Sequence, residues 1–159
     1  MLNPLQKFNF GQRIAFAGRF FGHCLTFFSL DRRDGLGPAG EREAAKFLRK
    51  LGYRIVAHSH RQRLGEIDLI AIDDGCVVFV EVKTWNSDSN GDPSLAVDRR
   101  KQEKITRAAL IFLKAKGLLE HPARFDVVSI VLPTTRGAHP VIRHFKSAFE
   151  AVGNMQMYR

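Results

Sequence analysis

Two strand-like runs joined by an Asp-Gly pair constrain the fold of this chain more than any other feature. Residues 65–72 and 76–83 are rich in β-branched and aromatic side chains, which favour strands. Residues 73–75, between them, contain the Asp-Gly dipeptide that is typical of a tight hairpin. An antiparallel hairpin of these runs places Asp68 beside Glu81.

Three ionisable residues lie on this otherwise apolar hairpin. Side chains alternate between the two faces of a strand, so Glu81 and Lys83 project from one face, and the hairpin brings Asp68 to them. Two carboxylates and an ammonium are costly to bury without a partner. A divalent metal ion is one such partner. A structural ion-pair cluster between neighbouring strands is the alternative.

The same residues suit phosphodiester hydrolysis. Mg²⁺ prefers oxygen ligands, usually one or two carboxylates completed by water and substrate phosphate. It polarises a phosphoryl oxygen and lowers the pKa of a coordinated water. We therefore predict Asp68, Glu81 and the backbone carbonyl of Val82 as metal ligands. Lys83 is the predicted cation that stabilises the transition-state oxyanion.

Two further glutamates are candidates for an additional carboxylate at the metal. Glu41 opens a helix-like segment, and a helix that covers the sheet would bring its first turn close to the hairpin. Glu66 shares a strand face with Asp68. The alternatives are that Glu41 complements the helix dipole and that Glu66 is a solvated or loop-capping residue.

The remaining pattern predicts an α/β domain. Residues 41–51 and 98–116 have helical spacing, and a glycine follows each segment as the stop. Further strands are predicted over residues 53–57, 125–132 and 141–144. The order helix, three strands, helix, two strands predicts a mixed sheet covered by helices.

Phenylalanine marks a separate leader. Seven of the 13 phenylalanines lie within residues 8–28, with basic residues between them. We predict that residues 1–36 form a leader and linker, either amphipathic or disordered, that contacts a membrane surface or a protein partner. Residues 37–150 are the predicted folded domain and residues 151–159 a tail. No stretch reaches 18 uncharged apolar residues, so no transmembrane helix is predicted.

Charge favours a polyanionic partner, because the net charge is +9. Basic residues cluster in a predicted connection at residues 58–63 and at the start of the second helix, where cations oppose the helix dipole. The predicted phosphate contacts are Arg61, Arg63, Arg99, Arg100, Lys101 and Lys104. A solvated basic surface is the alternative. Cys24 and Cys76 lie in unrelated contexts, so we expect no disulfide framework and a cytoplasmic protein.

The hairpin residues resemble a known motif. Gly-Glu-Ile-Asp-Leu-Ile-Ala at 65–71 and Val-Phe-Val-Glu-Val-Lys-Thr at 78–84 are similar to the PD-(D/E)XK nuclease superfamily. Within it, the chain resembles the bacterial YraN-like family, which is similar to archaeal Holliday-junction resolvases. Gly-Glu at 40–41, Arg-Phe-Asp at 124–126 and Ala-Phe at 148–149 resemble further motifs of that family, in the same order.

The resemblance implies a fold, a site and a cofactor. The fold is a restriction-endonuclease-like mixed β-sheet of about five strands flanked by helices. Asp68 and Glu81 correspond to the metal ligands for Mg²⁺ or Mn²⁺, Lys83 to the catalytic lysine, and Glu41 to the acidic position on the first helix.

The resemblance also bears on the partners. Lys101 and Gln102 fall where related nucleases often carry a substrate-facing polar residue, so both are predicted to contact nucleic acid. Trp85 departs from the basic residue that the family usually shows after the Glu-x-Lys-Thr motif. Resolvase-like relatives work as dimers, which implies a homodimer here.

We therefore expect a divalent-metal-dependent endonuclease-like protein that hydrolyses phosphodiester bonds in structured DNA. One alternative is a nucleic-acid-binding protein that keeps the nuclease fold without cleaving. The other is an accessory protein that docks on a membrane or a partner through its leader.

Overall fold

A computed structural model describes residues 36–62, 65–86, 97–135 and 137–153 of the chain, excluding the side chains of residues 36, 60–62 and 65. The elements in this part are α1 Leu36–Lys50, β1 Arg54–Gln62, β2 Gly65–Asp73, β3 Cys76–Asn86, α2 Arg99–Lys116, β4 Ala123–Leu132 and β5 Val141–Phe149. The predicted order of helix, three strands, helix and two strands is confirmed. Residues 1–35 of the predicted leader and linker and most of the predicted tail lie outside the described residues.

The predicted hairpin between β2 and β3 is confirmed. Asp73 pairs with Cys76 across a two-residue turn. Asp74 and Gly75 both have positive φ, at 44° and 81°. Two successive positive φ angles make a type I′ turn, whose twist matches that of the strands it joins. The turn therefore fixes the register that places the acidic residues of the two strands side by side.

The five strands form one mixed sheet in the order β1-β2-β3-β4-β5. The β1–β2, β2–β3 and β4–β5 pairs are antiparallel, whereas β3 and β4 are parallel. A parallel pair needs a crossover between its strands, and α2 lies in the crossover from β3 to β4. The central strand β3 buries both faces over Val77–Val80.

A different helix covers each face of the sheet. The α1 face contains Leu48 packed in one cluster with Val78 and Val80. On the α2 face, Phe79 contacts Phe112 edge to face at a centroid distance of 5.9 Å. Even-numbered residues of β3 thus face α1 and odd-numbered residues face α2. This alternation sends the Glu81 side chain toward α2.

The predicted second helix is confirmed, and its ends have defined caps. Asp98 is the N-cap and accepts a hydrogen bond from the backbone N–H of Lys101 at 2.9 Å. Gly117 has the left-handed conformation, with φ 63°, and its N–H bonds back to the last turn. The first turn that carries Lys101 is thereby fixed in position. Within the part of the chain that the structure covers, neither helix has the length and hydropathy needed to cross a bilayer.

Three predicted boundaries are wrong. Helix α1 begins at Leu36 rather than residue 41, because Pro38 is tolerated in a first turn, where its missing N–H costs nothing. Strand β1 continues through the predicted basic connection to Gln62, because those residues pair with β2. Strand β5 extends beyond residue 144 to Phe149, which pairs with Phe125 of β4 across a register shift.

A buried carboxylate fixes this extension of β5. Asp126 is fully buried and accepts hydrogen bonds from Arg124 Nε at 3.0 Å and from the backbone N–H of Ser147 at 2.9 Å. His144 Nε2 lies 2.9 Å from its other oxygen. Burial opposes ionisation, but the hydrogen bonds from His144, Arg124 and Ser147 outweigh it and lower the pKa of Asp126. Arg124 also bonds Asp73 at 2.7 Å, so the Arg-Phe-Asp motif is a structural cross-link at the hairpin end of the sheet.

Candidate active site

Two carboxylates meet where β2 and β3 separate. Leu69 pairs with Val80, so Asp68 and Glu81, one step further along each strand, lie side by side. The ladder does not continue there; instead the backbone N–H of Val82 donates to Asp68 Oδ2 at 2.7 Å. Glu81 is 4% exposed, and its Oε2 atom is buried without a hydrogen-bond partner. A buried carboxylate oxygen without a partner is unusual and calls for a ligand.

Two ammonium groups hold the other oxygen of Glu81. Lys83 Nζ lies 3.3 Å from Glu81 Oε1 and Lys101 Nζ lies 3.1 Å from the same atom. Lys83 comes from the same strand as Glu81, whereas Lys101 reaches across from the first turn of α2. Both lysine side chains are about one-third exposed, at 32% and 34%. They therefore form the boundary between the buried carboxylates and solvent.

The electrostatics of the site disfavour two ionised carboxylates. Burial and the adjacent charge of Glu81 raise the pKa of Asp68 to about 7, although the hydrogen bond from Val82 and the charge of Lys101 oppose the rise. Burial lowers the pKa of Lys101, but the charges of Glu81, Asp68 and Glu66 outweigh this and raise it. Perturbed carboxyl groups of this kind are common at functional sites.

Glu41 lies in α1. Its charge adds a minor contribution to the raised pKa of Asp68, after burial and the charge of Glu81. Its carboxylate accepts a hydrogen bond from the Ser59 hydroxyl of β1. Ser59 has a φ of 43°, a conformation rare for a residue other than glycine and often retained at functional sites.

Gly40 allows α1 to pack closely against β3. A Cβ atom on this residue would lie 1.9 Å from Thr84 Oγ1 and 2.9 Å from Thr84 Cβ, which no real side chain permits. The helix backbone therefore rests directly on the strand residue next to Lys83. This close approach positions Glu41, the following residue, beside the sheet.

The donor set matches a hard divalent cation. Among the residues that the structure describes, no three His, Cys, Asp or Glu side chains converge as a complete metal-binding cluster. Mg²⁺, however, is usually bound by one or two protein carboxylates completed by water and substrate oxygens. Asp68 and the unpartnered Glu81 oxygen meet that requirement. Three further oxygen donors remain predictions: the backbone carbonyl of Val82 and the carboxylates of Glu41 and Glu66.

Comparison with known proteins identifies the family. A sequence model described as "Uncharacterised protein family UPF0102" matches residues 40–130, which include both carboxylates and both lysines of the site. The chain belongs to the UPF0102 family. This family lies in the PD-(D/E)XK nuclease-like superfamily, and the five-stranded mixed sheet with flanking helices is consistent with a restriction-endonuclease-like fold.

Three UPF0102 relatives illustrate the extent of the similarity. The chain is 45% identical over 134 residues to UPF0102 protein RB9115 of Rhodopirellula baltica, covering 83% of this chain and 80% of that protein. It is 45% identical over 116 residues to a UPF0102 protein of Trichlorobacter lovleyi, covering 72% and 90%. A UPF0102 protein of Desulfosudis oleivorans is 43% identical over 122 residues, covering 77% and 95%.

The predicted nucleic-acid contacts of this UPF0102 chain fall into two groups. Arg99, Arg100 and Lys104 are exposed on α2, and Arg99 lies 3.8 Å from Glu103. Lys101 instead contacts Glu81. Gln102 donates to the carbonyl of Val97 at 2.8 Å, which closes the first turn of α2. For Arg61 only the backbone in β1 is described, and Arg63 lies outside the described residues.

Sequence reasoning missed the residues that orient Glu41. The Gly-Glu pair and the Thr after Lys83 were visible as motif residues, but nothing in their spacing indicated that Gly40 packs on Thr84. Ser59 gave no signal, because a positive φ at serine cannot be inferred from composition. The contact between Lys101 and Glu81 was also missed, because it joins elements that are distant in the chain.

Proposed function

We propose that this protein is a divalent-metal-dependent endonuclease that hydrolyses phosphodiester bonds in structured DNA. One observation carries the proposal: the buried Oε2 atom of Glu81 has no hydrogen-bond partner, and the strand register brings Asp68, a second carboxylate, beside Glu81. Family membership supports the same reading, since UPF0102 lies in a nuclease-like superfamily.

Asp68 and Glu81 would hold Mg²⁺ or Mn²⁺, with the Val82 carbonyl and Glu41 or Glu66 as further oxygen donors. The bound cation supplies a polarised phosphoryl oxygen and an acidified water. The strands prepare this site without it, because the hydrogen bond from Val82 orients Asp68 and the fixed hairpin register holds Glu81 beside it.

Lys83 acts at the edge of the site. Its ammonium is partly exposed, so it can reach a phosphate that arrives from solvent. Charge that develops on a phosphoryl oxygen in the transition state is stabilised by a cation already in place. Lys83 therefore has the role of oxyanion stabiliser.

The basic first turn of α2 would bind the DNA backbone. Arg99, Arg100 and Lys104 are exposed on the helix whose first turn also delivers Lys101 to the carboxylates. Contacts between Lys or Arg and phosphates release counterions, so binding weakens steeply as salt increases. The net charge of +9 adds a general attraction to the polyanion.

The test is cleavage of a labelled panel of single strand, duplex, flap and four-way junction by the full chain with Mg²⁺ or Mn²⁺. We expect metal-dependent cutting of a branched substrate that is lost in Glu81→Gln and reduced at least about 100-fold in Lys83→Met. Glu150→Gln, an exposed carboxylate outside the site, is the matched control and should cut like wild type. Cutting that persists in Glu81→Gln would exclude the proposed site.

One observation favours a second candidate, a nucleic-acid-binding protein that does not cleave. Glu81 Oε1 already has two ammonium counter-ions, so its charge is compensated without a metal. In that case the same panel is bound in a salt-sensitive manner, nothing is cut, and Glu81→Gln binds as wild type does.

A further inference from the structure

Lys101 has an arrangement that a role in phosphate binding alone does not explain. Its Nζ atom is closer to Glu81 Oε1 than that of Lys83, at 3.1 Å against 3.3 Å. Two ammonium groups from different elements thus meet on one oxygen, while the other oxygen of the same carboxylate has no partner. The Lys101 ammonium, although its side chain is partly exposed, contacts a buried carboxylate.

The backbone fixes this geometry. The N–H of Lys101 is bonded to the Asp98 N-cap at 2.9 Å, and the neighbouring Gln102 side chain is bonded to the Val97 carbonyl at 2.8 Å. Apart from the N-cap Asp98, whose carboxylate bonds the backbone N–H of Lys101, the first turn of α2 contains no acidic residue. A cation near a helix N-terminus is unfavourable unless charge elsewhere offsets it. Glu81, across the helix–sheet interface, supplies that charge.

The two oxygens of Glu81 have different surroundings. Lys83 and Lys101 share Oε1, and Lys101 is the closer of the two, whereas Oε2 is buried without a hydrogen-bond partner. A divalent cation bound through the free Oε2 atom would lie on the same carboxylate as the two ammonium groups on Oε1, and like charges at that distance repel.

We propose that Lys101 is the resident counter-ion of Glu81, which holds the Oε1 side of the carboxylate in the metal-free protein and opposes the binding of a divalent cation at Oε2 by its charge. The inference rests on the proposed function, because it assumes that Asp68 and Glu81 are the metal ligands. Lys101 is thus a positioning residue that keeps the site folded without metal and weakens metal binding. Loading the cation adds two positive charges beside the two ammonium groups, which favours a phosphodiester substrate.

The experiment is a calorimetric titration of Mn²⁺ into the full chain, in which a competing counter-ion and a metal-supporting residue give opposite results. Lys101→Met keeps the length of the side chain and removes its charge, and it should bind Mn²⁺ about tenfold more tightly than wild type. Lys101→Arg should restore the affinity of wild type. Lys50→Met removes one charge from an exposed position at the end of α1 and should bind as wild type does.

Thermal unfolding gives a second readout that does not depend on activity. Without metal, Lys101→Met should melt below wild type, because Glu81 has lost a counter-ion, and Mn²⁺ should raise its melting temperature more than that of wild type. A variant that is unfolded in chelator and folds when Mn²⁺ is added supports the proposal equally. A variant that stays unfolded with Mn²⁺ overturns it.

Two titration results separate this inference from the proposed function. If wild type binds Mn²⁺ and Lys101→Met binds it equally or more weakly, Lys101 is not a competing counter-ion, and the metal site stands. If neither protein binds Mn²⁺, both the metal site and this inference are wrong.

Discussion

Replacing Asp68 by asparagine should stabilise the fold at alkaline pH. Burial and the charge of Glu81 raise the pKa of Asp68 from 3.8 to about 7. Between these values the folded protein keeps a proton that the unfolded chain has lost, so stability falls as the pH rises through this interval. At about 1.4 kcal/mol per pH unit, the full interval corresponds to about 4 kcal/mol.

Asparagine suits the test because it keeps an oxygen for the 2.7 Å hydrogen bond from Val82 and cannot ionise. We would measure urea unfolding in the presence of chelator at about pH 5 and about pH 8.5, which span most of the interval. The stability of Asp68→Asn relative to wild type should be greater at the higher pH by about 2–3 kcal/mol. Asp74→Asn removes the same charge from the exposed turn and should give one value at both pH values. If the relative stabilities of the two variants change equally between the two pH values, Asp68 does not have the raised pKa.

Three further outcomes are expected. Gly40→Ala should lower the free energy of unfolding by about 1–3 kcal/mol and impair cleavage, because its Cβ collides with Thr84. Gly37→Ala is the control, because no atom lies near a Cβ at that position. Equal urea midpoints of the two variants would contradict the close packing of Gly40 on Thr84. Asp126→Asn should lower the free energy of unfolding by about 1–3 kcal/mol, because the amide keeps one acceptor oxygen but puts an NH₂ group where the carboxylate accepts from Arg124. An unchanged melting temperature would show that the cross-link contributes little. We expect a homodimer, so sedimentation should give twice the chain mass of 18.0 kDa. A monomer that cleaves at full rate would contradict this expectation.

Local chemistry made the centre of the fold predictable. Asp74-Gly75 allows the two positive φ angles of a type I′ turn, and the register of β2 and β3 follows from that turn. Asp98 and Gly117 marked the ends of α2 in the same way. The two strand boundaries that failed, those of β1 and β5, depend on distant partners. The basic residues of β1 have weak intrinsic strand character, and they are extended because β2 pairs with them.

The same distinction holds at the candidate site. The juxtaposition of Asp68 and Glu81 follows from strand alternation and hairpin register, both of which are local properties. The placement of Lys101 depends on how α2 packs against the sheet, and that of Glu41 on Ser59 of β1. No pattern within either segment carries that information, so only the folded structure shows which side chains complete the site.

The position of a bound divalent cation tests the proposed metal site most directly. Crystals of the full chain grown with Mn²⁺ would show its position by anomalous scattering. We predict one peak in contact with the carboxylates of Asp68 and Glu81, with Glu81 Oε2 as a ligand. Absence of a peak there, with Glu81 Oε1 still held by Lys83 and Lys101, would contradict the metal site and the nuclease mechanism built on it.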